Sequence, residues 1–343
     1  MKVWIAAWAL AFVFVSDKAS AHELRVVQNS WYNLKDFHQS YLSEHGHSPT
    51  FQSYQRDEDL IDFLKTGPYF DIARICSSSL NALLAQNLLR PWDSTRIKDF
   101  DTIDDRFLFP DEQNRLYLLP FEFGSNLIVY DPESVPQGDV ASLDVFHNPA
   151  YQDRISLPDD IASIAALSFL ATGVTDWTNA TNSQTETALQ WWRDAHPNVR
   201  YYWDDEDILA KELATGDINL AYATQEIATI LEDYDQFAAT APSTREGASL
   251  WSCGLVISAQ SIAPLEHIYQ YANAHFEDPA VRKLLEWDAI STQVSVTLEL
   301  LGEDDLTALG ISDEDAMFLN QSPLPMTVWE KFTMEKRLNQ KMP

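Results

Sequence analysis

The chain has 343 residues, with 52 acidic against 23 basic side chains and a formal net charge of -29; that balance disfavours nucleic acid and anionic membrane surfaces, which are bound through Lys and Arg. Its 45% hydrophobic and 12% aromatic content, including 11 Trp, is far more buriable surface than a disordered acidic chain carries. The length predicts about two domains, and only 10 Gly count against a fold built on Gly-rich phosphate loops.

Residues 1–21 read as a secretory signal peptide: Lys2 supplies a basic start, Val3 to Val15 an apolar run, and Ala19-Ser20-Ala21 a small-x-small cleavage site. The run is too short for a bilayer span, which takes about 20 residues. Removing Lys2, Asp17 and Lys18 with the leader leaves 51 acids and 21 bases. An exported, soluble product beginning near His22 is expected.

Leu24, Val26 and Val27 predict a first strand, and Leu34, Phe37, Tyr41 and Leu42 recur at helical spacing before Gly46, a C-terminal cap. The rhythm repeats. An extended Thr50 to Tyr54 precedes a helix carrying Leu60, Ile61 and Leu64, a stop at Gly67-Pro68, a strand at Phe70 to Ile75, and a helical stripe of Leu80, Leu83, Leu84 and Leu88. Leu157-Pro158-Asp159-Asp160 looks like a strand end entering a capped helix with Ile161, Ile164, Ala165 and Leu167 on its face. A helix around Ala188 to Asp194 follows, then a polar loop containing Tyr201, Tyr202, Trp203, Asp204 and Asp205. Ile208 to Ala214 is helical to Gly216, Ile218 to Ala223 and Trp251 to Ile257 are extended, and Asp278-Pro279 starts a further helix. Alternating strands and helices predict an α/β protein, with no repeat and no flexible linker. If there are two domains, the chain crosses between them more than once.

Catalytic signatures are absent: no G-x-S-x-G elbow, H-E-x-x-H helix, P-loop, G-x-G-x-x-G turn or C-x-x-C pair. A secreted hydrolase using a carboxylate pair remains the alternative, because 52 acids place some pair together by chance alone. His45 and His47 read as a solvated cap rather than metal ligands, and His22, once a free terminus, is a remote copper chelate. No metal and no cofactor are expected. Cys76 and Cys253 fall in two different predicted strands of an exported chain, so they are either disulfide-bonded or two buried thiols, the bond being favoured.

Collinear landmarks carry a resemblance. LRVVQNSWYN near the start, FDIARICSSSLNALLAQNLLRPWD from Phe70, LYLLPFEFGSNLIVYDPESV from Leu116, LPDDIASIAAL from Leu157, GDINLAYAT from Gly216 and DPAVRKLL from Asp278 resemble family 1 bacterial extracellular solute-binding proteins, nearest the spermidine/putrescine-binding branch. The resemblance implies a type II periplasmic-binding-protein architecture: two α/β lobes, a hinge of crossing strands and a central ligand cleft. It implies residues 22–125 plus 250–300 as lobe one and 126–249 plus 301–343 as lobe two. The protein would be a periplasmic monomer with no enzymatic activity, delivering a small solute to an ABC permease in the inner membrane.

The same resemblance implies a site. Trp31 and Tyr32 follow the first strand, where loops of α/β sheets face a crevice. Cys76, Ser77 and Ser78 end a later strand and suit a ligand's polar end. Glu122 and Phe123 precede the first crossing, Trp251 is a cleft aromatic, and Asp160 matches a carboxylate that meets a ligand ammonium or caps its own helix. Aromatic faces and carboxylates are the chemistry that holds an alkylammonium. Glu122, an acid between two Phe, calls for a cation to meet it. Three positions depart from the polyamine pattern: Ser163 replaces a second carboxylate, Thr224 a cleft Trp, and Cys253 an acid. The implied ligand is therefore an amine or other small polar solute, with polyamine as the leading candidate.

Overall fold

The structure, a computed structural model, describes residues 23–338 apart from 55, 67–68, 233–238, 242–243, 295–296, 298 and 300–317. The expected signal peptide, the His22 terminus and parts of the C-terminal stretch of lobe two lie outside the described residues.

The first half alternates β1 (Arg25–Gln28), α1 (Gln39–His45), β2 (Thr50–Ser53), α2 (Asp57–Thr66), β3 (Ile72–Cys76), α3 (Leu80–Leu84) and β4 (Leu89–Arg90). β1 pairs parallel to both β2 and β3. After the long β5 (Leu119–Tyr130), a second α/β run holds β6 (Ile155–Pro158), α4 (Ile161–Ala171), α5 (Asn182–Ala195), β7 (Val199–Trp203), α6 (Glu206–Thr215) and β8 (Leu220–Thr224), with β6 parallel to β7 and β8. Then come β9 (Ala239–Ala241), the long β10 (Ala248–Ser258), β11 (Ile290–Ser291), β12 (Phe318–Asn320) and a C-terminal helix, Met326–Leu338.

β5 and β10 tie the two runs together. They pair antiparallel from Ser249↔Asn126 to Leu255↔Leu119, with an irregularity between Cys253 and Gly254. A Cβ at Gly254 would stand 2.2 Å from the Leu119 carbonyl oxygen, so only glycine lets the backbones approach there. The first part of β5 pairs with β11 and its second part, from Asn126, with β8. β10 passes the opposite way, pairing with β12 at its start and β3 at its end. Each long strand therefore crosses from one group of parallel strands to the other, giving the order β2-β1-β3-β10-β5-β8-β6-β7. Every residue of both strands is buried, as expected for strands covered on both faces.

The core follows strand alternation. Val26 packs with Phe37, Tyr41 and Leu255 in one cluster. Leu127 and Val129 pack with Tyr201, Trp203 and Leu209 in another. Their neighbours Val27 and Ile128 turn to a third that contains Phe169, Trp192 and Phe332. The C-terminal helix packs on α4 and α5, with the Phe332 ring stacked on Trp192 at 5.8 Å.

Three expectations are corrected. The Leu34–Leu42 stripe is a 3-10 turn, Lys35–His38, followed by the short α1, which ends at Gly46 with φ 75°. The Leu80 helix stops at Leu84, because Leu89 enters β4 beside β10. Tyr201 to Trp203 belong to β7 rather than a loop; their rings are buried, and a polar flank in sequence concealed a strand. The late helix, by contrast, starts at Asp278 with Pro279 in its first turn, as expected.

Candidate functional site

Six parallel strands deliver their carboxyl ends to one cleft of about 300 Å³ between the two strand groups. Asn29 and Trp31 follow β1, Tyr54 follows β2, and Cys76 ends β3. On the facing wall Pro158 ends β6, Trp203 ends β7 and Thr224 ends β8. Asn126 of β5 with Trp251 and Cys253 of β10 contribute from the crossing pair.

The wall built by the first strands is internally neutralised. Arg74, an arginine within the apolar β3, donates from Nε to Glu122 Oε1 at 2.7 Å. Tyr32 donates its hydroxyl to Glu122 Oε2 at 2.6 Å. The Arg74 guanidinium also lies 4.1 Å from the Tyr32 ring centroid. Burial pushes the Glu122 carboxyl up, against the pull of Arg74 and Tyr32. Burial alone would lower Arg74, but Glu122 and the two tyrosines Tyr32 and Tyr54 outweigh it and keep the guanidinium charged. The cation that Glu122 calls for is thus Arg74.

This corrects three expected contacts. Glu122 is fully buried and is not on the cleft wall; its charge is matched inside the protein. Phe123 is core, stacked on Phe107 with centroids 4.5 Å apart. Ser77 is buried behind the wall, donating to the Gln321 carbonyl and accepting from Ser252. The sequence does contain the missing signal: an Arg between Ala73 and Ile75 in an apolar strand needs a buried partner.

Seven of the ten proposed residues line the cleft: Trp31, Tyr32, Cys76, Ser78, Asp160, Thr224 and Trp251. Trp31 and Tyr32 sit on a 3-10 turn whose cap, Asn29, accepts from the Trp31 N–H at 3.1 Å. Trp31 is 38% exposed and meets the edge of Trp287 at 5.6 Å. Asp160 both lines the cleft and caps α4, accepting from Ala162 N and Ser163 N at 2.9 and 3.1 Å. Cys76 and Cys253 stand directly opposite each other on β3 and β10 and are joined by a disulfide at the cleft surface. A cross-strand bond between residues 177 positions apart in sequence fixes the end of β3 to the crossing strand.

The other wall is acidic. Asp159, Asp160, Asp204, Asp205, Glu206, Asp207 and Glu226 all line it. The lining holds two guanidiniums, and both are engaged: Arg74 with Glu122, and Arg56, just before α2, with Asp159 and with Asp59 of that helix. Lys336 reaches Asp159 as well, at 2.9 Å. Asp205 caps α6 by accepting from Ile208 N at 3.0 Å. Thr224 donates its hydroxyl to Glu206 Oε1 at 2.5 Å. Burial, and then the neighbouring Glu206, push Glu226 up to about 8; burial likewise raises Glu206. Two neighbouring carboxylates in a poorly solvated place do not both ionise readily.

Several buried polar atoms on the lining have no hydrogen-bond partner among the described residues: Ser78 Oγ, Asn126 Oδ1, Glu226 Oε2 and Trp251 Nε1. Such atoms are costly unless something supplies the missing bonds. Asn126, Glu206 and Glu226 were missed from sequence because Glu206 and Glu226 stand just outside the segments whose periodicity carries a signal, Ile208 to Ala214 and Ile218 to Ala223, and Asn126 lies within a crossing strand.

His45 and His47 lie away from the cleft, with the His45 ring 4.2 Å from that of His267 and its Nε2 2.6 Å from Gln270. Among the described residues no helix is long and apolar enough to cross a membrane.

Comparison with solved structures gives the same fold. The chain superposes on a Listeria monocytogenes protein assigned as a spermidine/putrescine ABC transporter with a TM-score of 0.77 and 17% identity, covering 93% of this chain and 99% of that one. It superposes on the spermidine/putrescine ABC transporter substrate-binding protein PotD of Streptococcus pneumoniae at 0.72 and 17% identity, covering 92% and 98%. For the PBP MotA of A. tumefaciens B6, solved in complex with glucopine, the values are 0.74 and 12%, covering 93% and 100%. No curated protein matches the chain in sequence. Residues 63–297 match the model of the bacterial extracellular solute-binding proteins, and the chain belongs to that family.

Proposed function

We propose that the protein is the periplasmic substrate-binding component of an ABC importer. It is exported by residues 1–21, and it captures a small polar, cationic amine for delivery to an inner-membrane permease. The observation that carries the cationic reading is the charge of the lining: seven carboxylates face two guanidiniums, and both guanidiniums are already paired. A cation entering such a cleft meets acceptors that no protein donor satisfies, while an anion meets repulsion. Trp31, Trp203, Trp251 and Trp287 on the same lining add aromatic surface that suits an alkylammonium.

Structural relatives are described as handling spermidine/putrescine in two cases and glucopine in another, so shared fold leaves the choice of ligand to this chain's own side chains. The loss of three polyamine-pattern positions, at Ser163, Thr224 and Cys253, argues for a diamine or monoamine of modest length over spermidine. The lobes are assigned as 22–125 plus 250–300 and 126–249 plus 301–343, a division supported by the crossing of β5 between Phe123 and Asn126. Closure of the lobes on ligand follows from that hinge.

A thermal-shift screen over putrescine, spermidine, monoamines, amino acids, sugars and carboxylates tests this. An amine should raise the melting temperature with the logarithm of its concentration. A shift with sugars or carboxylates and none with amines would overturn the cationic reading; no binder together with turnover of a glycoside or ester would overturn the transport role.

A further inference from the structure

The acidic wall is not uniform. Asp159, Asp160 and Asp205 are already used, by an ion pair and by two helix caps. Glu226 differs, because its Oε2 is buried and has no hydrogen-bond partner among the described residues. A second, independent group of the same kind stands beside it. Asn126, 3% exposed, faces Thr224 directly across the β5–β8 ladder, and its Oδ1 is also unpartnered. Thr224 is two residues before Glu226 and holds Glu206 by its hydroxyl. The crossing strand, the end of β8 and the start of α6 therefore bring three acceptor side chains to one part of the lining, and on two of them, Glu226 and Asn126, a buried oxygen has no hydrogen-bond partner among the described residues.

We propose that Glu206, Glu226 and Asn126 form the seat of the ligand's primary ammonium, with Thr224 fixing Glu206; this rests on the cationic reading above. A primary ammonium has three N–H donors and no acceptor, which complements three acceptors. A sugar hydroxyl, which both donates and accepts, leaves the carboxylate charge uncompensated. Thr224 has a structural reason to be small: a bulky ring at the end of β8 would fill the space over Asn126 that the seat needs.

Occupation of this seat is coupled to a proton. The groups that face Glu226 are Glu206 from α6, Glu122 from β5, Tyr32 from the first wall and the Thr224 hydroxyl, while Asp205 and Asp207 bear on Glu206. All the charges in that set are negative, and the guanidinium of the opposite wall, Arg74, is engaged by Glu122. Without ligand the pair holds one proton near neutral pH, because Glu226 is pushed up to about 8. When the ammonium arrives, both carboxylates ionise and the proton leaves to solvent. The ammonium keeps its own protons throughout. Affinity therefore rises with pH up to about 8 and then levels off, by at most about tenfold per pH unit for one released proton.

The test is calorimetric titration of putrescine into the full mature chain between about pH 6 and about pH 8.5, in two buffers of different ionisation enthalpy that report the protons released. Wild type should bind more tightly as pH rises and release up to one proton at the acid end. Glu226→Gln should weaken binding at the alkaline end by about 10- to 100-fold, the worth of a charge-assisted contact, and flatten the pH profile. Glu206→Gln, checked for folding by thermal unfolding, should do the same. If putrescine binds and both variants keep the wild-type affinity and pH slope, the seat lies elsewhere and the cationic reading survives. If calcium alone displaces putrescine at lower concentration and loses affinity in the same variants, the pair is a cation site of another kind and the ammonium assignment falls. If no amine binds wild type at any pH, both readings fall together.

Discussion

The two walls of the cleft carry acids in opposite ways. On the first, Glu122 is sealed behind the surface with Arg74 and Tyr32 completing its bonds. On the second, Glu206 and Glu226 stand at the lining with one shared hydroxyl and an unpartnered oxygen. A buried acid that has its cation is part of the fold, and removing either partner strands the other. A half-buried acid at the lining with an oxygen that lacks a partner destabilises the empty fold and is completed by what binds. Breaking each arrangement should therefore move stability and binding in opposite senses.

The largest effect is expected on the first wall. Arg74→Met leaves Glu122 buried without its counter-ion and should cost about 3–5 kcal/mol in denaturant unfolding, while cation affinity of the folded fraction changes little. A much smaller loss of stability would mean that solvent reaches Glu122. Next, replacing Cys76 and Cys253 by Ser should lower stability by about 2–4 kcal/mol, read as a fall in melting temperature that reductant reproduces in wild type. Gly124→Ala comes third. A Cβ there would stand 2.4 Å from Trp251 Cζ2, and displacing that ring should cost about 1–3 kcal/mol and shift the tryptophan emission.

The second wall should respond with the opposite sign. The folded value of Glu226, about 8, lies above the ordinary value of 4.5. The stability linked to this group is thus fully present below about 4.5 and is lost as pH rises through about 8. Glu226→Gln should unfold at higher temperature than wild type at about pH 8.5, with the gap closing toward about pH 5. The same gap at every pH would place the Glu226 shift in error. The smallest effect is expected across the cleft, where Arg56, just before α2, meets Asp159 of the facing wall. Both residues keep other partners, Asp59 and Lys336, so Arg56→Gln should lower stability by at most about 1 kcal/mol.

Much of this molecule was legible in its residues, and the unread part has a physical cause. Strand-to-helix punctuation marks the two α/β runs because Asp160 and Gly216 do at their helix ends what their chemistry dictates, capping α4 and closing α6 in the left-handed region. The order of landmarks gave the family. The walls of the cleft were partly legible, since strand ends such as Trp31, Cys76 and Thr224 reach it by topology. Partnership was not. Whether an acid is satisfied depends on residues far away in sequence, such as Arg74 for Glu122, and the same uncertainty hides Glu226. The strand at Tyr201 to Trp203 was obscured because the acids of the short connection after it, Asp204 and Asp205, which serve the cleft and a cap, give the whole stretch a polar look.

The acid excess of the chain thus divides into solvated surface, internal pairs and a few carboxylates that face the ligand. The most direct measurement of the central claim is a matched titration of the mature protein with putrescine and with its diol isostere, which has the same length and hydrogen-bonding ends but no charge. The account predicts saturable binding of the diamine, weakened by salt, and no detectable binding of the diol. Equal affinity for the two, or binding of the diol alone, would contradict it.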